Sequence, residues 1–242
     1  MTQFATGKSL NLLFVWTLIS GVSTSLGAYI AVQLFPEAGF AQNRIGDYNI
    51  TLFAFPFLIG LALGLAQYAM LRSILTKQSR PVGSWLVFWI PVTAIGILVL
   101  IAPLYFFLAE DMLRAPWLPA LIMLPGAFIL GFGQWLILRR HEITGAAWIT
   151  RTAIGTLLGA SLGLITAFSF IGFAAFSRGG LIEPVWACYV GLGLGLFQGN
   201  HLSKEFYGRG APRWLTITSI VVLVLIFPGI LSGYYFLVAW VH

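Results

Sequence analysis

Three glutamines are the residues whose type and spacing come nearest to chemistry. Gln67, Gln134 and Gln198 each sit in one frame, small-x-x-Leu-Gly-x-x-Gln-x-x-x-Leu. The three copies are Gly60, Leu63, Gly64, Gln67, Leu71; Ala127, Leu130, Gly131, Gln134, Leu138; and Gly191, Leu194, Gly195, Gln198, Leu202. Residues seven and three positions before a glutamine share its helix face, so each copy presents a small residue, a glycine and an amide as one stripe. A primary amide offers two N–H donors and a carbonyl acceptor. Three of them at one depth in a bundle have two readings. In the first, Gly60, Gly64, Ala127, Gly131, Gly191 and Gly195 are packing residues. They let neighbouring backbones approach, and each glutamine bonds a nearby helix for about 0.6–2 kcal/mol. In the second, the glutamines line a cavity or hold a ligand, with Thr93, Thr152 and Thr218 as hydroxyl partners. Polar side chains inside a membrane tend to mark such pathways. Packing leads, because small-x-x-x-small motifs are common in membrane helices.

Other chemistry finds little footing. Gly159-Ala160-Ser161-Leu162-Gly163 matches the letters of a nucleophile elbow, but that turn needs a strand before it and this segment reads as mid-helix. His141 and His201 lie seven and three residues after Gln134 and Gln198, and either could ligate a metal or a chlorophyll magnesium. Interfacial anchoring is the simpler reading, and no Cys/His cluster has zinc spacing. The single cysteine, Cys188, reads as a small packing residue. Residues 214–241 hold no lysine for a Schiff base, which excludes a retinal protein. No catalytic residue, no metal site and no cofactor are assigned.

The elements that must position these glutamines are membrane helices. The chain is 59% hydrophobic and 8% charged, against roughly 25% charged for soluble domains. Seven stretches lack Asp, Glu, Lys and Arg: 9–36, 48–71, 81–109, 115–138, 152–177, 184–203 and 214–242. About 20 residues cross a hydrocarbon core of ~30 Å. The predicted fold is therefore all-α and membrane-embedded, one domain over 1–242. Its seven transmembrane helices fall at about 10–34, 51–74, 82–108, 117–138, 147–176, 183–202 and 214–241. The first run is about twice as long as a signal-peptide core and is read as helix 1. Period-2 alternation is absent, which argues against a β-barrel.

Charge supplies direction. Lys8, Arg72, Lys77, Arg80, Arg139, Arg140, Arg151, Lys204, Arg209 and Arg213 fall on one side; the other side holds Arg44, Arg114 and Arg178 with Glu37, Asp47, Glu110, Asp111 and Glu183. The positive-inside rule then puts the N-terminus in the cytoplasm and the C-terminus outside. Topology and anionic lipid account for the +6 net charge, so no nucleic-acid partner is expected. Trp85, Trp89, Trp117, Trp148, Trp186 and Trp214 lie near helix ends, where aromatic belts are expected. Odd-numbered helices share a second motif, Trp-x-x-x-Thr/Ser: Trp16 and Ser20, Trp89 and Thr93, Trp148 and Thr152, Trp214 and Thr218. Two helices return the chain to its starting side, so the pattern predicts three parallel two-helix repeats plus a closing helix, related by an axis along the membrane normal.

Residues 134–159, Q-W-L-I-L-R-R-H then G-A-A-W and T-A-I-G-T-L-L-G, resemble a repeat in uncharacterised bacterial multi-span membrane proteins with a Gln-Trp-Leu-apolar-Leu-Arg signature. Gln67 is followed by Tyr68 and Gln198 by Gly199, so the other copies depart from it. The resemblance implies a bacterial inner membrane, cytoplasmic or thylakoid-type, and no activity. The expected function is a non-catalytic scaffold or accessory subunit, with membrane lipids and other membrane subunits as partners. The alternatives are a small-molecule carrier with a site between helices 2, 4 and 6, opened by Pro56, Pro119, Pro125 and Pro184, and a pigment-binding photosynthetic subunit.

Overall fold

In a bilayer core every backbone N–H and C=O must be satisfied within the chain, and a helix does this segment by segment. The computed structural model follows that demand. It describes residues 2–35, 51–80, 82–106, 118–141, 143, 145–170 and 182–208, and among them there is no strand. The helices are α1 (Thr2–Leu34), α2 (Thr51–Lys77), α3 (Trp89–Ile101), α4 (Leu118–Arg140), α5 (Ala147–Phe170) and α6 (Ile182–Tyr207). Short 3-10 segments, Ser84–Phe88 and Ala102–Phe106, flank α3. The expected helix at 214–241, with Thr218, lies outside the described residues, as do the 36–50 connection and residues 171–176.

Among the described residues four segments are long and apolar enough to cross a membrane: Asn11–Leu34, Phe53–Lys77, Ser84–Leu104 and Leu121–Arg140. The protein is thus a multi-pass membrane protein. Helices α5 and α6, at 24 and 26 residues, have spanning length too. In α6, Gln198, Asn200 and His201 dilute the apolar character.

Element limits moved where local chemistry demanded it. Among the described residues of the third helix, expected as one piece over 82–108, only Trp89 to Ile101 are α-helical. Pro91 and Pro103 lack the N–H that would bond the carbonyl four residues back, and 3-10 turns occupy both flanks. At its far end α6 stops at Gly208, whose φ of 71° suits glycine and whose N–H bonds the Lys204 carbonyl at 2.9 Å.

Each helix packs on the next along the chain, from α1 to α6, and α6 returns to pack on α1. The six therefore close into a ring around a common interior. Three layers fill its centre. Leu63, Leu130 and Leu194 form one; the three glutamines form the next; Leu71, Leu138 and Leu202 form the third, together with Trp16, Trp89 and Trp148. All twelve of these side chains have no exposed surface. The layering follows from the frame, because a leucine four residues before and another four after a glutamine stack above and below it on one face.

The candidate site, a buried glutamine layer

The stripe before each glutamine brings two helices together. A Cβ placed on Gly64 would lie 3.0 Å from the Ile90 carbonyl oxygen, and one on Gly60 would lie 2.7 Å from the Ala94 Cα. Gly131 meets the Ile149 backbone at 3.1 Å, and Gly195 meets the Thr17 Cα at 2.8 Å. Gly191 abuts Ser20 and Thr24, and Ala127 is fully buried. So α2 seats its glycines on α3, α4 on α5, and α6 on α1. Close backbones then leave the glutamines no direction but the interior.

There the amides are spent on protein partners. Gln67 Nε2 donates to Ser20 Oγ at 3.0 Å, Gln134 Nε2 to Thr93 Oγ1 at 3.1 Å, and Gln198 Nε2 to Thr152 Oγ1 at 3.0 Å. Each glutamine thus holds the helix that precedes it, while its glycine stripe holds a different neighbour. The amides also bond one another. Gln67 Nε2 donates to Gln198 Oε1 at 3.2 Å, and Gln198 Nε2 to Gln134 Oε1 at 2.8 Å. These distances place all three at one depth.

Trp89 fixes the polarity of this chain of bonds. Its indole nitrogen can only donate, and it lies 3.2 Å from Gln67 Oε1. With the Gln67 oxygen so held, its nitrogen faces Ser20 and Gln198. Gln198 must then present oxygen to Gln67 and nitrogen to Gln134 and Thr152. One indole orients three amides. The matching tryptophans behave differently: Trp16 Nε1 and Trp148 Nε1 are buried with no hydrogen-bond partner among the described residues.

Of the residues expected to bind a ligand, Gln67, Gln134, Gln198, Thr93 and Thr152 are brought together; Thr218 lies outside the described residues. Ser20 joins them, and its signal was the Trp-x-x-x-Ser of helix 1. Several expectations for neighbouring residues need correction. Trp89, Trp148 and Trp186 are buried rather than belt-forming, and only Trp85 among the described end-of-helix tryptophans is exposed. For Trp89 and Trp148 the reason is that a residue four positions before an interior-facing threonine, Thr93 or Thr152, faces the interior too. His201 is no interfacial anchor. It is buried, with its ring 6.0 Å from that of Trp148 and Nε2 3.8 Å from Glu205. His141 packs against Gly83. Glu183, assigned by its charge to an outer connection, is buried in the first turn of α6, where the helix N-terminus favours an anion. Ser161 is mid-helix in α5, and Cys188 is buried in α6. Pro56 and Pro125 sit inside α2 and α4.

One set of packing residues was missed. Gly155 and Gly159 of α5 face Gly193 of α6, and a Cβ on Gly155 would come 2.6 Å from the Gly193 carbonyl oxygen. The signal was the four-residue spacing of Gly155, Gly159 and Gly163. No protein-family model, no curated protein and no solved structure matches the chain.

Proposed function

We propose that the chain is a seven-helix protein of a bacterial inner membrane, cytoplasmic or thylakoid-type, that works without catalysis as a scaffold or accessory subunit of a membrane complex. In this reading three parallel two-helix units and a closing helix share an axis along the membrane normal, with the N-terminus in the cytoplasm and the C-terminus outside. The observation that carries it is the glutamine layer. Its amides are fully buried and committed to Ser20, Thr93, Thr152, Trp89 and one another, between two leucine layers. A polar layer enclosed by apolar ones acts as a register device: it penalises any sliding of one helix on another that would leave an amide unbonded. The recurrence of one set of contacts at α2–α3, α4–α5 and α6–α1 supports the three-unit reading.

The test is reconstitution of the purified chain into vesicles loaded with a small fluorescent anion, or carrying a pH gradient reported by a dye. A scaffold leaves both as stable as in protein-free vesicles. Specific, saturable flux through the chain alone would overturn this reading in favour of a carrier using the same glutamines.

A further inference from the structure

The ends of α4 and of the 3-10 segment before α3 carry a feature that packing within the ring does not use. Arg139 and Arg140 are exposed at the last turn of α4, and each guanidinium lies over an aromatic ring. Arg140 is 4.2 Å from the centre of the Trp85 ring, and Arg139 is 5.2 Å from that of Trp135. Each tryptophan in turn touches a phenylalanine: Trp85 and Phe88 are 5.2 Å apart, and Phe132 and Trp135 are 5.7 Å apart. Two columns result, Arg140-Trp85-Phe88 and Arg139-Trp135-Phe132, with Trp85, Phe88 and Phe132 each about half exposed at 47%, 52% and 49%. Between them α3 and α4 come close at Gly133, where a Cβ would lie 2.7 Å from Val92 Cγ1. Ile129 and Leu136 continue the exposed apolar wall along α4. Among the described residues no acid lies within ion-pair distance of Arg139 or Arg140.

We propose that this face is a binding site for an anionic phospholipid, with Arg139 and Arg140 holding the headgroup phosphate and the aromatic columns bordering its acyl chains. Stacking on tryptophan leaves the edge N–H groups of a guanidinium free and holds them in a fixed plane, which suits bidentate recognition of phosphate. Free phosphate would use the arginines but not the apolar columns beneath them, so the exposed Phe88, Phe132, Ile129 and Leu136 favour a lipid. The proposal rests on placing this end of α4 at the membrane surface. It does not depend on the scaffold reading, since a carrier would keep the same face.

The experiment titrates detergent-purified full chain with phosphatidylglycerol, phosphatidylcholine or inorganic phosphate, reading the melting temperature and the bound lipid retained in native mass spectrometry. Phosphatidylglycerol is expected to stabilise and be retained, the other two not. The double variant R139Q/R140Q is expected to weaken phosphatidylglycerol binding about thirtyfold, and W85L/W135L to weaken it with both charges kept. R72Q/K77Q removes equal charge from exposed residues at the C-terminal end of α2 and should bind as the parent does. Equal effects of phosphatidylglycerol and phosphatidylcholine, equal effects of phosphatidylglycerol and inorganic phosphate, or equal losses in the two charge variants would each overturn the proposal.

Discussion

A glutamine inside a bilayer is stable only in proportion to the bonds it completes. Gln67 and Gln198 each use both N–H groups and the carbonyl, on Ser20, Gln198 and Trp89 in the first case and on Gln134, Thr152 and Gln67 in the second. Trp89 alone among the three layer tryptophans donates into this network, which sets it apart from Trp16 and Trp148. Replacing Trp89 by Phe leaves Gln67 Oε1 without its donor and should cost about 1–3 kcal/mol. The same change at Trp16 or Trp148 removes a nitrogen that bonds no described residue and should cost about 1 kcal/mol less. Thermal melting of the three purified variants checks this; equal destabilisation would mean that Trp89 acts only by its volume. The participation of the glutamines was legible in the sequence, because their frame recurs with both leucines. Which tryptophan would orient them was not. Trp16, Trp89 and Trp148 carry the same motif, and only the three-dimensional offset of Trp89 toward α2 distinguishes it.

At the scale of the helices, close approach is carried by glycines whose missing Cβ is the contact itself. Gly193 is one such case, since a Cβ there would run into the Gly155 carbonyl and the Gly159 backbone. Gly193→Val should force α5 and α6 apart and cost 1–3 kcal/mol or more, with about that range typical of overpacking. Gly145→Ala, with open space around it, should stay within about 0.5 kcal/mol of the parent. Chemical or thermal unfolding in detergent compares the two, and similar losses would contradict the proposed packing. Helix positions followed from uninterrupted apolar runs, and α1, α2 and α4 lie close to where those runs put them. Their ends did not, because helix extension past a charge costs little at a membrane surface: α2 continues through Arg72 to Lys77, and α6 through Lys204 and Glu205 to Tyr207. Burial of Trp148, Trp186, His201 and Glu183 was also hidden, since type and distance from a helix end suggest an interface and only the closure of α6 onto α1 and α5 puts them inside.

For the molecule as a whole, ring closure is what turns three ordinary motifs into one structure. In the three-unit reading, each two-helix unit alone keeps its glutamine–hydroxyl bond but exposes its glycine stripe to lipid. Joined head to tail, every stripe meets a backbone of its neighbour and the glutamines meet one another. Stability is then shared around the ring, and loss of the polar layer should be felt everywhere at once. The triple variant Q67L/Q134L/Q198L is the most direct test. Leucine is more apolar than glutamine and nearly fills its volume, so a membrane helix by itself would be favoured. The variant is nevertheless expected to insert but to fail to hold the ring, running as a broad, polydisperse species with its cooperative melting transition lost. A monodisperse variant melting at or above the parent's temperature would contradict it, and would return the glutamines to service as a site for something else.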